Sequence, residues 1–437
     1  MMVAHAFPPT WGGVETHLAD LVRELRRRGH EILCLVGGDE SDEVWEGLRV
    51  HRRPLLRPAE LLRVHHAGSE GRTAHLRSIE AVVRPFLDAG RPHVVHLHNA
   101  HHYGPQLAHG VLAAVDAARG RTGRPGPVVL NSVHDHTGEH VLHDVMDLPW
   151  HLLLYVSDFL RASLPSRAPS VTLPLGIDLS RFAPDGPRHE ALVRLERPVI
   201  FHPARPLPWK GVDTGLEAFV EVRRQLGRGT LVLCSGDNII GESAVVSELR
   251  ARLMTYAADA GVAEHVVFQD FPPLTMGDAY RGCDLVWYPT TGEEPYGLVP
   301  LEAMASERPV IVAASGGLVE TVADGVNGLV VPRGDSAALA RAALRLLDDD
   351  PAVRRRVVTG GREWVRRHGI DTYTRRLEKV YEAARAGGPT GIRSGPGCRL
   401  QLPVVVLGGP RRAGVQDRHR TGRPHSLVNR PRTTVRE

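Results

Sequence analysis

The chain has 437 residues, 42% of them hydrophobic and 24% charged, a balance that excludes a disordered polymer and leaves room for two or three globular domains. The net charge is +4 at pH 7, but the basic residues are all arginines apart from Lys210 and Lys379. With abundant Ala, Gly and Pro, this basic balance reads as the codon bias of a GC-rich source, not as a nucleic-acid surface. There is no long apolar run and no charged-then-apolar leader, and Cys34, Cys234, Cys283 and Cys398 form no C-x-x-C pair, so the sequence predicts a cytoplasmic protein with reduced thiols.

The first predicted strand, Val3–Phe7, runs at once into a turn, so either it is short or the true start lies upstream. That turn is Pro8-Pro9-Thr10-Trp11-Gly12-Gly13, followed by an amphipathic stretch over Val14–Arg28. Further strands are predicted at Ile32–Val36, Val94–His98, Val128–His134 and Leu152–Val156. Between the first two lies Leu48–His66, whose Arg49, Arg52, Arg53, Arg57 and Arg63 could face an anionic membrane. Pro54 and Pro58 interrupt it, and a solvated loop is the favoured reading. The segment Pro174–Arg197 is a connector. Beyond it strands are predicted at Val199–Pro203, Leu231–Cys234, Val266–Gln269, Leu285–Tyr288, Val310–Ala313 and Gly328–Val331, with helices at Val212–Leu226, Val245–Ala260 and Ser336–Asp348. Helical pattern continues through Pro351–Ala386. These strands are short, rich in Val, Leu and Ile, and apolar on both faces. That pattern, alternating with helices, predicts two open parallel sheets joined by right-handed crossovers. Residues 387–437 read as a disordered tail, despite the apolar run Leu402–Leu407.

In such folds ligands bind at the carboxyl ends of the strands. The string Glu293-Glu294-Pro295-Tyr296-Gly297-Leu298-Val299-Pro300-Leu301-Glu302 follows one strand and opens a helix. Gly297 permits close backbone approach, and the amides of Gly297 and Leu298 are unpaired donors that suit a diphosphate. A second signal is Arg205 and Lys210, five residues apart after the strand Val199–Pro203, where two fixed cations can neutralise a leaving diphosphate without a metal. The turn at Gly12 and Gly13 lets amides approach from the first half of the chain. It is not G-x-G-x-x-G and lends little support to a dinucleotide cofactor. His134 and Asp135 follow the strand Val128–Val133. Of 24 histidines, His96, His98, His101 and His102 cluster at one strand end, and His134, His136, His140 and His143 at another. With no H-E-x-x-H and no Asp-x-Asp pair next to the predicted sugar-diphosphate site, no functional metal is expected, and His98, Asn99 and His101 read as acceptor-side cleft residues.

The segment from Glu294 to Glu302 resembles the E-x7-E motif of retaining family-four (group 1) glycosyltransferases of the GT-B fold. The turn Gly316-Gly317 that follows is similar too, and the resemblance covers residues 3 to 385. It implies an α/β, GT-B architecture of two Rossmann-like, doubly wound parallel-sheet domains facing across a cleft. Residues 1–180 would form an acceptor domain and 181–370 a nucleotide-sugar domain, with a helix over 371–386 packing back on the first. Glu294 would contact the donor sugar, Glu302 the ribose, Arg205 and Lys210 the diphosphate, and His134 the sugar. Phe271, Tyr296, Gly297 and Leu298 would complete the donor site. The connector departs from the family at Leu175-Gly176, where Asn usually precedes the glycine. The implied reaction is sugar transfer with retention from a nucleotide sugar, UDP ahead of GDP, to a small-molecule acceptor, with no cofactor. The GC-rich source favours a role in specialised metabolites such as antibiotics. The alternatives are a lipid or cell-envelope acceptor, an epimerase or pyridoxal-dependent phosphorylase on the same fold, or a non-catalytic nucleotide-sugar binder.

Overall fold

The computed structural model describes residues 1–66, 68–122, 126–136, 143–235 and 243–387. His140, Cys398 and the expected tail beyond Gly387 therefore lie outside the described residues. The first sheet is built from β1 (Met2–Ala4), β2 (Cys34–Gly37), β3 (Ser41–Trp45), β4 (Leu48–Arg53), β5 (Val94–His98), β6 (Val128–Val133), β7 (Leu152–Tyr155) and β8 (Ser170–Thr172). Its order is β3-β4-β2-β1-β5-β6-β7-β8, parallel throughout except for the β3–β4 pair at the edge. The second sheet contains β9 (Val199–His202), β10 (Thr230–Cys234), β11 (Val266–Gln269), β12 (Leu285–Tyr288), β13 (Val310–Ala313) and β14 (Leu329–Val331). It runs β11-β10-β9-β12-β13-β14, all parallel. The molecule thus contains two Rossmann-like α/β domains of the GT-B type.

In each sheet the first strand lies in the middle, and the chain order reverses beside it. Met2 pairs with both Cys34 and His96, and Ile200 with both Leu231 and Leu285. The crevices where ligands bind in such sheets therefore open at the carboxyl ends of β1 and β5, and of β9 and β12. The second core shows how the sequence builds these layers. The helix Val212–Leu226 buries Val212, Leu216, Phe219 and Val222, residues that share one helical face, against Trp287 and Ile311 of the sheet. Burying each such side chain contributes about 1.5–3 kcal/mol.

One expectation is corrected. Leu48–His66 is not a solvated loop: it forms β4, a short turn at Pro54–Leu56 and the helix Pro58–His65. Leu48 and Val50 point inward while Arg49 is exposed, the alternation of a strand buried on one face, and Pro58 opens a helix where its missing amide is no loss. Arg52, Arg53, Arg57 and Arg63 face Glu43, Asp42, Asp39 and Glu60. Among the described residues no helix is long and apolar enough to cross a membrane.

The chain crosses between the sheets twice, and the crossings are bonded to each other. The Ile177 amide donates to the His368 carbonyl at 2.9 Å, and the Ile370 amide to the Ile177 carbonyl at 2.8 Å. Beside them Arg181 forks onto Asp20 of the helix Gly13–Arg27, at 2.6 and 2.9 Å. The helix Ile370–Arg385 then lies against the first domain. Glu378 takes Arg28 at 2.5 Å and His30 at 2.8 Å, and the Tyr381 hydroxyl meets His96 Nδ1 at 2.7 Å.

Candidate functional site

The loops after β9 and β12 are laced together. The Trp209 carbonyl accepts from the Thr290 hydroxyl at 2.7 Å and from the amides of Thr291 and Gly292 at 2.9 and 3.1 Å. Gly211, at φ +73°, fits this seam only without a side chain, because a Cβ would lie 1.9 Å from the Pro289 carbonyl oxygen. The lacing sets Lys210 over its partners. Its Nζ stands 2.8 Å from Glu294 Oε2, donates to the Tyr288 hydroxyl, and lies 3.7 Å from the centre of the Trp209 ring. The Tyr288 hydroxyl donates to the same Glu294 oxygen. Burial lowers the Lys210 pKa, and the Glu294 charge opposes that fall.

Glu294 is held in turn by the loop after β13. Its amide donates to Ser315 Oγ at 3.0 Å, and its carbonyl accepts from the Gly317 amide at 2.8 Å. Gly297 adopts φ +82° and packs on Leu318, where a Cβ would sit 2.5 Å from a methyl carbon. The same position lies 3.4 Å from Glu294 Cγ, so Lys210, Glu294 and Gly297 form one cluster. Among the described residues the amides of Gly297 and Leu298 meet no acceptor. The helix they precede, Val299–Ala305, has only seven residues, so those amides matter more than its dipole. Glu302 accepts the Tyr280 hydroxyl at 2.6 Å, and burial raises its pKa.

Two expected donor-site side chains are turned elsewhere. The Tyr296 hydroxyl donates to the Leu175 carbonyl of the connector at 3.2 Å. The Phe271 ring is packed edge-on to Phe201 and His189, at 5.2 and 4.9 Å between centroids.

From the first domain, Gly12 caps the helix Gly13–Arg27, and the Glu15 side chain folds back onto it. A Cβ on Gly12 would lie 2.5 Å from Glu15 Oε2. Burial raises the Glu15 pKa and the Arg205 charge opposes the rise, while Lys210 feels Asp135 in the same way. The Gly12 turn and the Asp135 loop thus face Arg205 and Lys210 across the cleft. The expected acceptor-side residues are bonded to this loop instead of lining open space. Asn99, at φ +54°, accepts the His134 amide on its Oδ1 at 2.7 Å. His98 Nδ1 is 3.0 Å from His134 Nε2, and His101 Nε2 is 2.8 Å from the Asp135 carbonyl. His98, which ends the buried strand β5, and His101, just beyond it, are fully buried. Burial, with neighbouring imidazoles, holds His98 and His134 well below the ordinary histidine pKa, so both rings are neutral.

Sequence reasoning missed Tyr288, Tyr280 and Glu15. Tyr288 ends an apolar strand and reads as core. Its only signal is its place six residues before Glu294. Glu15, three residues after Gly12, could have been found as the acid in the first turn of the helix Gly13–Arg27. Among the described residues no group of three His, Cys, Asp or Glu side chains is placed to hold a metal ion.

The family model "Glycosyl transferases group 1" matches residues 188–364. The chain is 30% identical over 400 residues to the GDP-mannose-dependent alpha-(1-6)-phosphatidylinositol monomannoside mannosyltransferase of Mycolicibacterium smegmatis, covering 83% of this chain and 93% of that one. It belongs to the group 1 glycosyltransferases. This glycosyltransferase is also 27% identical over 390 residues to the phosphatidyl-myo-inositol mannosyltransferase of Mycobacterium leprae, covering 86% of its own length and 94% of the relative's. Its fold matches that of the sucrose-phosphate synthase of Thermosynechococcus elongatus with a TM-score of 0.67 at 19% identity, over 89% of this chain and 99% of that one.

Proposed function

We propose that this glycosyltransferase moves mannose from GDP-mannose to a hydroxyl of a lipid-linked, inositol-bearing acceptor, keeping the anomeric configuration. The observation that carries the donor half is the cluster of Lys210, Glu294 and Tyr288 beside the open amides of Gly297 and Leu298, with Arg205 near the Gly12 turn. Mannose and GDP come from the names of the relatives, one of which is GDP-mannose-dependent. They favour GDP over the UDP expected from the family at large, and a lipid acceptor over an antibiotic. The arginines near β4 are largely paired with acids, so contact with a membrane would rest on the acceptor more than on that patch.

In this reading Arg205 and Lys210 neutralise the departing diphosphate, with the two amides holding its oxygens. Glu294 receives sugar hydroxyls, Glu302 the ribose, and His134 a sugar oxygen. Tyr288 and Lys210 already bond the Glu294 carboxylate, which makes it a poor nucleophile and disfavours a covalent intermediate. The bond from the anomeric carbon to the phosphate oxygen breaks on the face where the acceptor oxygen attacks, and the acceptor proton passes to the departing phosphate oxygen. A pyridoxal-dependent phosphorylase would need a free lysine, and Lys210 is engaged by Glu294.

The test pairs thermal shift with turnover. A nucleotide at a hundred times its Kd stabilises by about 2.7 kcal/mol, so GDP should raise the melting temperature more than UDP or ADP. GDP-mannose with phosphatidylinositol vesicles should yield an α-mannoside. No shift with any nucleotide, or a β product, would overturn the reading.

A further inference from the structure

The ends of β5 and β6 lie side by side, His98 in register with Ser132, and this brings His98 and His134 into a direct ring-to-ring hydrogen bond. The rings are nearly coplanar, 18° apart with centroids at 5.3 Å. A contact of 3.0 Å between two imidazole nitrogens holds one proton, so one neutral ring donates and the other accepts. The other nitrogens of the pair, His98 Nε2 and His134 Nδ1, are buried and have no partner among the described residues. His96 backs the pair: it stacks on His98 at 4.4 Å, and its own nitrogens meet the hydroxyls of Tyr381 and Ser132, each at 2.7 Å.

Two arrangements satisfy the contact. If His134 donates from Nε2, then His98 carries its proton on Nε2, buried without an acceptor, whatever binds in the cleft. If His98 donates from Nδ1, then His98 Nε2 is a bare acceptor and the His134 proton sits on Nδ1, where an incoming oxygen can take it. Buried N–H groups without an acceptor are rarer than acceptors without a donor, so the second arrangement is the stable one once a sugar oxygen arrives.

We propose that His98 is a positioning residue that fixes the tautomer of His134, so that His134 donates its Nδ1 proton to an oxygen of the donor sugar. This rests on the donor-site reading above, and it moves His98 from the acceptor side to the support of the donor site. A donor sugar then needs an acceptor oxygen at that point. Turnover depends on His98 although His98 touches no substrate.

The ¹⁵N imidazole spectrum of the full-length protein, recorded with GDP-mannose bound and no acceptor, and with His134 assigned by comparison with His134→Gln, reads the tautomer directly. His134 should show a protonated Nδ1 and an unprotonated Nε2; the reverse pattern overturns the proposal. His98→Asn, whose amide can supply the same N–H, should keep this pattern and turn over within about threefold of the parent. His98→Leu should mix the tautomers and lower kcat by about tenfold or more, with acceptor KM unchanged. A His98→Leu enzyme with parental kcat and an unmixed spectrum would equally overturn it. The spectrum needs no turnover. A parent protein that binds no nucleotide sugar would sink the functional reading, whereas one that binds it with a protonated Nε2 would overturn only the tautomer assignment.

Discussion

Lys210 and Glu294 are each about nine-tenths buried at the side chain, 12% and 11% exposed, so either charge left alone is costly. Breaking such a buried pair costs about 3–5 kcal/mol, because the survivor keeps its desolvation without its partner. Lys210→Ala should therefore lose both activity, by about a hundredfold or more, and stability, while the double variant Lys210→Ala/Glu294→Gln should recover stability in urea without recovering turnover. If the double variant regained turnover, the pair would be structural only. The lowered Lys210 pKa adds a pH signature. Burial favours the neutral amine, so the cation is lost at a lower pH than in a free lysine, and kcat/KM should fall on the alkaline side earlier than a surface lysine would allow. In Lys210→Arg that limb should vanish. The pairing of Lys210 with Glu294 was legible because charged residues at fixed spacing after apolar strands have few structural reasons to be there. Tyr288 was not, because an aromatic closing a buried strand looks like core until a distant loop brings it a carboxylate.

At the scale of elements, strands buried on both faces were legible as continuous runs of Val, Leu and Ile. β3, β4 and β8 were not: the edge strand β3 and its neighbour β4 alternate and carry charges, and the edge strand Ser170–Thr172 is short and holds only one buried residue. The contacts of Glu320 and Ser157 with the other domain left no trace in the sequence. The Glu320 carboxylate, after β13, accepts the amides of Asp158 and Phe159 at 2.9 and 2.6 Å and so caps the helix Asp158–Ser163 of the other domain. Ser157 Oγ donates to the Pro295 carbonyl at 2.6 Å, fastening the same turn to the Glu294 loop. Glu320→Ala should loosen this clasp: a larger radius of gyration by X-ray scattering, and a donor KM several-fold higher, as expected for about 1 kcal/mol of lost hydrogen bonding. An unchanged scattering profile and KM would show that the clasp is incidental. Burial raises the Glu320 pKa, so protonation, and release, should begin at a higher pH than for an ordinary carboxylate.

For the whole molecule, the two-sheet plan was the most legible level, since repeated strand and helix patterns leave few topologies. The load of histidine was legible as a count and not as a state. His5, His17 and His202 are buried, with pKa values pushed down to about 4, about 4 and about 3, and His96, His98 and His134 are displaced in the same direction. Unfolding returns each to about 6.5. Below that pH the unfolded chain binds protons that the folded one refuses, so stability is full above pH 6.5 and drains away as pH falls toward 4. Each group takes about 1.4 kcal/mol per pH unit over its window, so the urea midpoint should be level from pH 8 to 7 and drop steeply between 6 and 5. A level midpoint down to pH 5 would contradict this.

The helix Ile370–Arg385 has a consequence for synthesis. It is made after both sheets, yet Tyr381 reaches His96 and Glu378 reaches Arg28, both in the portion made first. A nascent chain therefore carries an unsealed seam beside β5 until this helix has emerged. The first domain cannot reach its finished form on its own, however long translation pauses after it.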